Sequence, residues 1–457
     1  MTETSFETLI ADQPSITRFL RDSPRSSRVD FRGVPREFTH WKKEQHSWRE
    51  RAAFLDQSHH MTDLFLEGPG ALAFLQKFGA GKLADFPVGR ARQYFAVAPD
   101  GNMIGDAIVF HTAENSFDVV GVFSVPSWLQ YQLESGDYDV EWTLDPNSNV
   151  RAGDPVQYRY EVQGPKAKEV LEAAIGGELP DIGFFHLTDV TIAGRTVHAL
   201  RHGMAGHVGL ELFGPWEDAV AVREALFEVG EPLGLTAVGT RAYFTLNIES
   251  GWIPLVAPAI FTSPETAGFR RWLPPAPIFT IGGSFAPENI EDYYVTPYDL
   301  GYGKFLELDR EFVGRDALVA LADAPRRRKV SLIWNQEDIA AAFEKSFDLS
   351  GLPAKELTLE KLRYAFIHYD SVMAGERRVG FSIDGAYFDP DRLVVSLAIV
   401  DEEFAEPGTE VIVLWGESED ARSAVSEDHE QVQIRAVVAP SPFSEFARTT
   451  YRTSVAV

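Results

Sequence analysis

The sequence predicts a mixed α+β protein built as two related lobes followed by a small β-barrel. Three observations lead there. Gly68-Pro69-Gly70-Ala71 and Gly164-Pro165-Lys166-Ala167 each read as a strand running into a helix. The β-rich runs between and after them read as hairpins, and the chain beyond residue 325 is mostly short strands and turns.

Taken in order, the first Gly-Pro start is followed by Ala71, Phe74, Leu75 and Phe78, and the second by Ala167, Val170, Leu171 and Ala174. Each set lies on one helical face, and a proline in the first turn forfeits no hydrogen bond it would otherwise make. Asp106 to Phe110 and Phe117 to Val122, joined by the polar His111 to Ser116, form one hairpin; Val190 to Leu200 forms another, turning at Ala193-Gly194. Ala219 to Val229 places Val222, Ala225, Leu226 and Val229 on one stripe, with Gly230 expected as a left-handed stop. Pro325-Arg326-Arg327-Arg328-Lys329 marks a change of composition and reads as a solvated linker rather than an anion patch. Beyond it, Arg378 to Ile383, a turn at Asp384-Gly385, Leu393 to Val400, Glu410 to Trp415 and Gln431 to Val438 read as barrel strands. The expected division is therefore 1–325 for the lobes and 326–457 for the barrel.

Composition narrows the chemistry. A chain of 457 residues, 45% of them hydrophobic, is too long for one core. With 42 basic and 68 acidic residues its net charge is −26, and such a surface repels nucleic-acid phosphates and anionic lipid. There is no cysteine, which excludes thiolate nucleophiles, cysteine-ligated zinc, iron–sulfur and Rieske clusters and thiolate-ligated haem. Met1 to Ser15 lacks the pattern of a secretory leader, and apolar runs such as Phe117 to Val125 are too short to span a bilayer, so a cytoplasmic protein is expected. His198 and His202, with His207, His59 and Asp63, invite a metal reading; however, Thr196 to Leu200 reads as strand, where an i, i+4 spacing makes no helical ligand pair, and no metal is expected.

Seven ordered blocks carry a family resemblance. They begin with WRERAAFLDQSHHMTDLFLEGPGALAFLQ at Trp48 to Gln76 and GRARQYFAVAPDGNMIGDAIVF at Gly89 to Phe110, and continue through VQGPKA at Val162, RHGMAGHVGLELFGP at Arg201, NIESGW at Asn247, TPYDLGYGKF at Thr296 and FVGRDAL at Phe312; GTEVIVLW at Gly408 follows within the barrel. Together they resemble the glycine-cleavage T-proteins, the tetrahydrofolate-dependent aminomethyltransferases. DQSHHM, RHGMAG, ESGWIP and GGSFAPENIEDYY make the chain most similar to the aromatic O-demethylases of the vanillate and syringate type. The resemblance implies two interwoven lobes around a central folate channel, with tetrahydrofolate as methyl acceptor and a small methoxylated aromatic acid as substrate. Oxidative demethylation by Rieske or thiolate-haem chemistry is already excluded, and direct transfer remains among those routes. It needs collinear nitrogen, methyl carbon and ether oxygen, and a donor on that oxygen.

The resemblance also nominates residues. Tyr243, in Arg241-Ala242-Tyr243, stands where aminomethyltransferases carry the arginine of Ala-Arg-Asp, and is expected to donate to the phenolic oxygen. His60 is the expected partner: neighbours on a strand face opposite ways, so one of His59 and His60 points inward. Gln57 is expected in the same cavity. Glu211 in Gly209-Leu210-Glu211-Leu212 matches a pterin-binding carboxylate, although His207 replaces the family's first glutamate. Trp252 is expected against a folate ring, Asp106 is the retained half of an Asp-Asp pair whose first member is Gly105 here, and Gln93 occupies an aromatic position of the family motif. Val120-Gly121-Val122-Phe123 replaces a Val-Gly-Arg run whose arginine suits a ring carboxylate. Val122 and Phe123 are therefore expected to contact the substrate, and Val122→Arg to shift preference toward vanillate-like compounds. A buried unpaired carboxylate is costly, so the expected substrate carries it elsewhere on the ring, as a chlorinated ortho-methoxybenzoate such as dicamba does, or lacks it.

Overall fold

A computed structural model describes residues 5–23, 30–276 and 279–452; Met1 to Thr4 of the segment read for a leader lie outside them. The first lobe is a five-stranded antiparallel sheet in the order Arg90–Val97, Met103–Ala113, Ser116–Gly121, Thr62–Glu67, Glu141–Asp145. The second is a six-stranded sheet in the order Leu235–Val238, Ala52–Asp56, Gln157–Gln163, Gly209–Pro215, Arg195–Leu200, Leu187–Ile192. The lobes are interwoven because Ala52–Asp56 belongs to the second sheet, yet the strand directly after it, Thr62–Glu67, belongs to the first.

Both Gly-Pro starts fold alike. Helix Ala71–Phe78 follows the first and helix Ala167–Ile175 the second. Gly68 and Gly164 share a φ of +126°, and a side chain there would stand 2.7 Å from the Asp139 carbonyl oxygen or 2.6 Å from that of Arg51. Glycine is required at both by conformation and by space. The hairpin at 190–200 turns where expected, with Ala193 at φ 52° and Gly194 at φ 73°, a two-residue turn whose positive φ values match the strand twist.

Three local expectations are corrected. Helix Ala219–Gly230 does not stop at a left-handed Gly230, whose φ is −84°; it runs on through Glu231–Leu233 to Gly234 at φ 93°. Gly230 instead permits contact, since a side chain there would lie 2.6 Å from Leu235. Asp384-Gly385 is not a turn: strand Arg377–Phe388 continues through it, with a register shift between Ser382 and Asp384. Nor is the basic segment all linker, because strand Arg327–Trp334 opens within it and Arg327 pairs with Asp299 at 2.8 Å.

The barrel closes in the order Arg327–Trp334, Leu393–Asp401, Arg377–Phe388, Asp370–Ala374, Glu410–Trp415, Val432–Ala439. Trp334 and Trp415 meet edge to face in its core. From Ala439 the chain returns to the lobes through helix Glu445–Thr449.

Candidate active site

The crossover between the lobes makes the first wall of a cavity. Strand Ala52–Asp56 delivers Gln57 and His60 to it. Ser58 to His60 form a turn rather than a strand, yet the two histidines still diverge. His60 faces the cavity, while His59 lies behind it, edge-on to Trp216 and 3.9 Å from Asp56.

Tyr243, at the end of the short helix Thr240–Tyr243, closes against that turn, with its hydroxyl 2.9 Å from His60 Nε2. Only 7% of Tyr243 is exposed. Burial, reinforced by the nearby Glu161 and Glu211 carboxyl groups, raises the pKa of its hydroxyl well above the ordinary value, so the phenol keeps its proton. Burial, with smaller help from His59 and Arg159, lowers His60 to about 3, so its ring is neutral near pH 7. The His60 ring also hydrogen-bonds the Gln57 backbone, and a ring donating there from Nδ1 presents Nε2 as the acceptor of the Tyr243 proton. Gln57 in turn donates to Glu161 at 2.7 Å.

Asp106, on Met103–Ala113, forms the opposite side. Its Oδ2 accepts from Gln93 Nε2 at 3.0 Å, Trp252 Nε1 at 2.9 Å and the Tyr302 hydroxyl at 2.8 Å, while Oδ1 takes none of these. Burial raises its pKa, and the three donors oppose that shift. Glu211, on Gly209–Pro215, accepts from Arg159 at Oε1, and its Oε2 has no hydrogen-bond partner among the described residues. Among the described residues, Glu211 Oε2 and Asp106 Oδ1 have no hydrogen-bond partner, and Trp252, Phe184 and Phe185 are flat neighbours in the cavity.

Several residues of the site escaped the sequence reading. Strand Gln157–Gln163 puts Tyr158, Tyr160 and Val162 into the second lobe's core, and Gln157, Arg159, Glu161 and Gln163 on its other face, which is also buried for the last three. Polar alternation in a doubly buried strand was the available signal. Glu161 and Gln163 accept the backbone N–H groups of Met204, Ala205 and His207, which fixes the RHGMAG loop. The returning C-terminal segment adds Ala447, Tyr451 and Arg452 to the wall, and Tyr451 donates to the Gly203 carbonyl at 3.1 Å.

Val122 and Phe123 do not join this cavity, contrary to the sequence expectation. Strand Ser116–Gly121 ends one residue earlier, and Phe123, already helical at φ −49° and ψ −28°, caps helix Ser124–Ser135. Phe123 lines a small recess beyond Asp106 with Ile253 and Leu300, and Val122 lines neither space. The apolar wall is made by Ala107, Ile108, Phe110, Val120 and Gly121. Elsewhere His198 pairs with Asp189 at 2.6 Å on the exposed sheet edge. Among the described residues no three His, Asp or Glu side chains gather as metal ligands, and no helix is long and apolar enough to cross a membrane.

Residues 26–257 match the family model described as the GCVT N-terminal domain. The chain is 39% identical to the syringate O-demethylase of Sphingobium sp., over 98% of both chains. The chain belongs to the GCVT family. It is 31% identical to the sesamin methylene transferase of Sinomonas sp., over 76% of this chain and 78% of that one. The solved aminomethyltransferase T of Bartonella henselae has the same fold, with a TM-score of 0.62 at 19% identity, over 91% of this chain and 94% of that one. This member of the family is a tetrahydrofolate-dependent enzyme. The residues present fit that molecule: Glu211 Oε2 and Asp106 Oδ1 suit the N–H groups of a pterin edge, and Trp252 suits a ring face.

Proposed function

We propose that the protein is an O-demethylase that moves the methyl group of a methoxylated aromatic acid to N5 of tetrahydrofolate, leaving a phenol. The observation that carries this reading is the Tyr243 hydroxyl, kept protonated and held against neutral His60 at the cavity wall. When bound, tetrahydrofolate would supply the nitrogen that accepts the methyl group, and the net reaction would move that nitrogen's proton to the departing phenolate oxygen. Tyr243, whose phenol keeps its proton in the site, turns its O–H from His60 to the departing oxygen and stabilises the negative charge that develops there. His60 holds the hydroxyl in place before that moment, and the Gln57 side chain hydrogen-bonds it from the same cavity. Glu211, Asp106 and Trp252 orient the pterin, and the apolar side chains exclude water.

The similarity to the syringate enzyme supports methoxybenzoates as the substrate class. Ile108, Phe110 and Val120 give the aromatic ring apolar neighbours, and Arg159, the guanidinium deepest in the wall, is already shared among three carboxylates. We therefore place syringate-like compounds and chlorinated ortho-methoxybenzoates such as dicamba first among candidates. Aminomethyl transfer is disfavoured because glycine, at Gly105, stands where the resemblance puts the first aspartate of an Asp-Asp pair. Anaerobic incubation with tetrahydrofolate and a panel of syringate, vanillate and chlorinated methoxybenzoates tests the proposal. The expected products are 5-methyltetrahydrofolate and the matching phenol; no methyl transfer from any of them rejects it.

A further inference from the structure

The floor of the cavity contains a charge arrangement that the proposed chemistry does not use directly. Arg159, 4% exposed, sends Nη1 to Glu211 Oε1 within its own lobe. Its Nη2 reaches Asp63 Oδ1 at 3.1 Å and Asp118 Oδ2 at 3.0 Å, both in the other lobe's sheet. Gln157 Nε2 bonds the same two aspartate oxygens, at 3.1 and 2.7 Å. The guanidinium carbon lies 4.8 and 4.9 Å from the ring centroids of Phe110 and Phe213, which themselves meet edge to face at 5.4 Å.

We infer that Arg159 is a positioning residue: it braces the Glu211 carboxylate of one lobe against Asp63 and Asp118 of the other, and so sets the direction of the free Glu211 oxygen. This rests on the reading of Glu211 as a contact to the pterin edge. A planar fork reaches carboxylates of both lobes in one fixed geometry, whereas an ammonium's three donors rotate freely. A glutamate side chain left unbraced would retain rotamer freedom that ligand binding must then remove. Burial raises both Asp63 and Asp118, each is raised further by another carboxylate, and Arg159 and Gln157 oppose both shifts. Glu161 faces Glu211 across the paired strands, but its oxygens are engaged by Gln57 and Met204.

The test is a double-mutant cycle read as the Kd of the purified full chain for tetrahydrofolate, measured anaerobically by quenching of tryptophan fluorescence. Glu211→Gln and Arg159→Gln are each expected to weaken binding about tenfold or more, Arg159→Lys by less, and the double variant no more than Glu211→Gln alone. Losses that multiply in the double variant overturn the bracing. If Arg159→Gln does not fold because the aspartates lose their cation, the same cycle is run with Arg159→Lys, with the same criterion. An unchanged Kd in Glu211→Gln instead rejects the pterin contact itself, an outcome distinct from multiplied losses.

Discussion

The two lobes start alike and end with different surfaces. Each runs from a strand through a left-handed glycine into an amphipathic helix, with Gly68 and Gly164 at the same φ. Toward the cavity, however, the first lobe presents Ala107, Ile108, Phe110 and Val120, with Asp106 its charged contribution, whereas the second presents Arg159 and Glu211, backed by Glu161. The shared geometry is backbone geometry, imposed wherever a chain must turn sharply into a helix. The unlike faces are side-chain choices that such a scaffold leaves open: one wall suits an aryl ring, the other a hydrogen-bonding heterocycle.

Removing the donor where the walls meet should have the largest effect. Tyr243→Phe is expected to lower turnover about a hundredfold or more while tetrahydrofolate affinity is largely kept; single-turnover rates and binding titrations separate the two. Next comes the shared backbone. Gly68→Ala and Gly164→Ala should each cost about 2 kcal/mol or more, because each adds a clash with a carbonyl oxygen to a disfavoured φ. Gly176→Ala, at φ 73° in open space, should cost about 1 kcal/mol. Equal costs at Gly176 and Gly164, in denaturant titrations, would remove the close approach from the explanation.

Smaller effects probe the walls singly. Asp106→Asn places an amide where three donors converge and should raise the Kd for tetrahydrofolate about tenfold. Val120→Leu should change kcat/KM several-fold among methoxybenzoates of different bulk, whereas Val122→Leu should stay within about twofold; the reverse order would put residue 122 on the cavity. The mildest effect concerns His60. Its pKa in the folded chain is about 3 against an ordinary 6.5, so the unfolded chain takes up the proton first. The stability tied to its neutral ring is therefore full above about pH 6.5 and falls as the pH drops toward 3. Wild type should lose stability more steeply than His60→Asn across that window, by at most one proton's worth of slope.

Much of the fold was legible because helix starts, hairpin turns and strand alternation depend on residues a few positions apart. The misreadings have the same root. Gly230 looked like a stop because glycine commonly is one, but Leu235 needs the space it leaves. Asp384-Gly385 looked like a turn because a bulge uses the same residues. Of the nominated site residues, Gln57, His60, Gln93, Asp106, Glu211, Tyr243 and Trp252 line one cavity, and Val122 and Phe123 do not. Their displacement came from a strand ending one residue early, a boundary that local propensity leaves open.

By itself the sequence determined the net charge, the absence of thiol chemistry, the paired Gly-Pro lobes and the strand-rich C-terminal third, since each is a property of composition or of short-range pattern. Tertiary structure alone decided that Tyr243 meets His60 across 183 positions of chain. It also decided that Arg159 divides its charge between two sheets and that the C-terminal segment closes the cavity. These are contacts between distant segments, chosen by how two interwoven sheets pack, and no window of neighbouring residues contains the information.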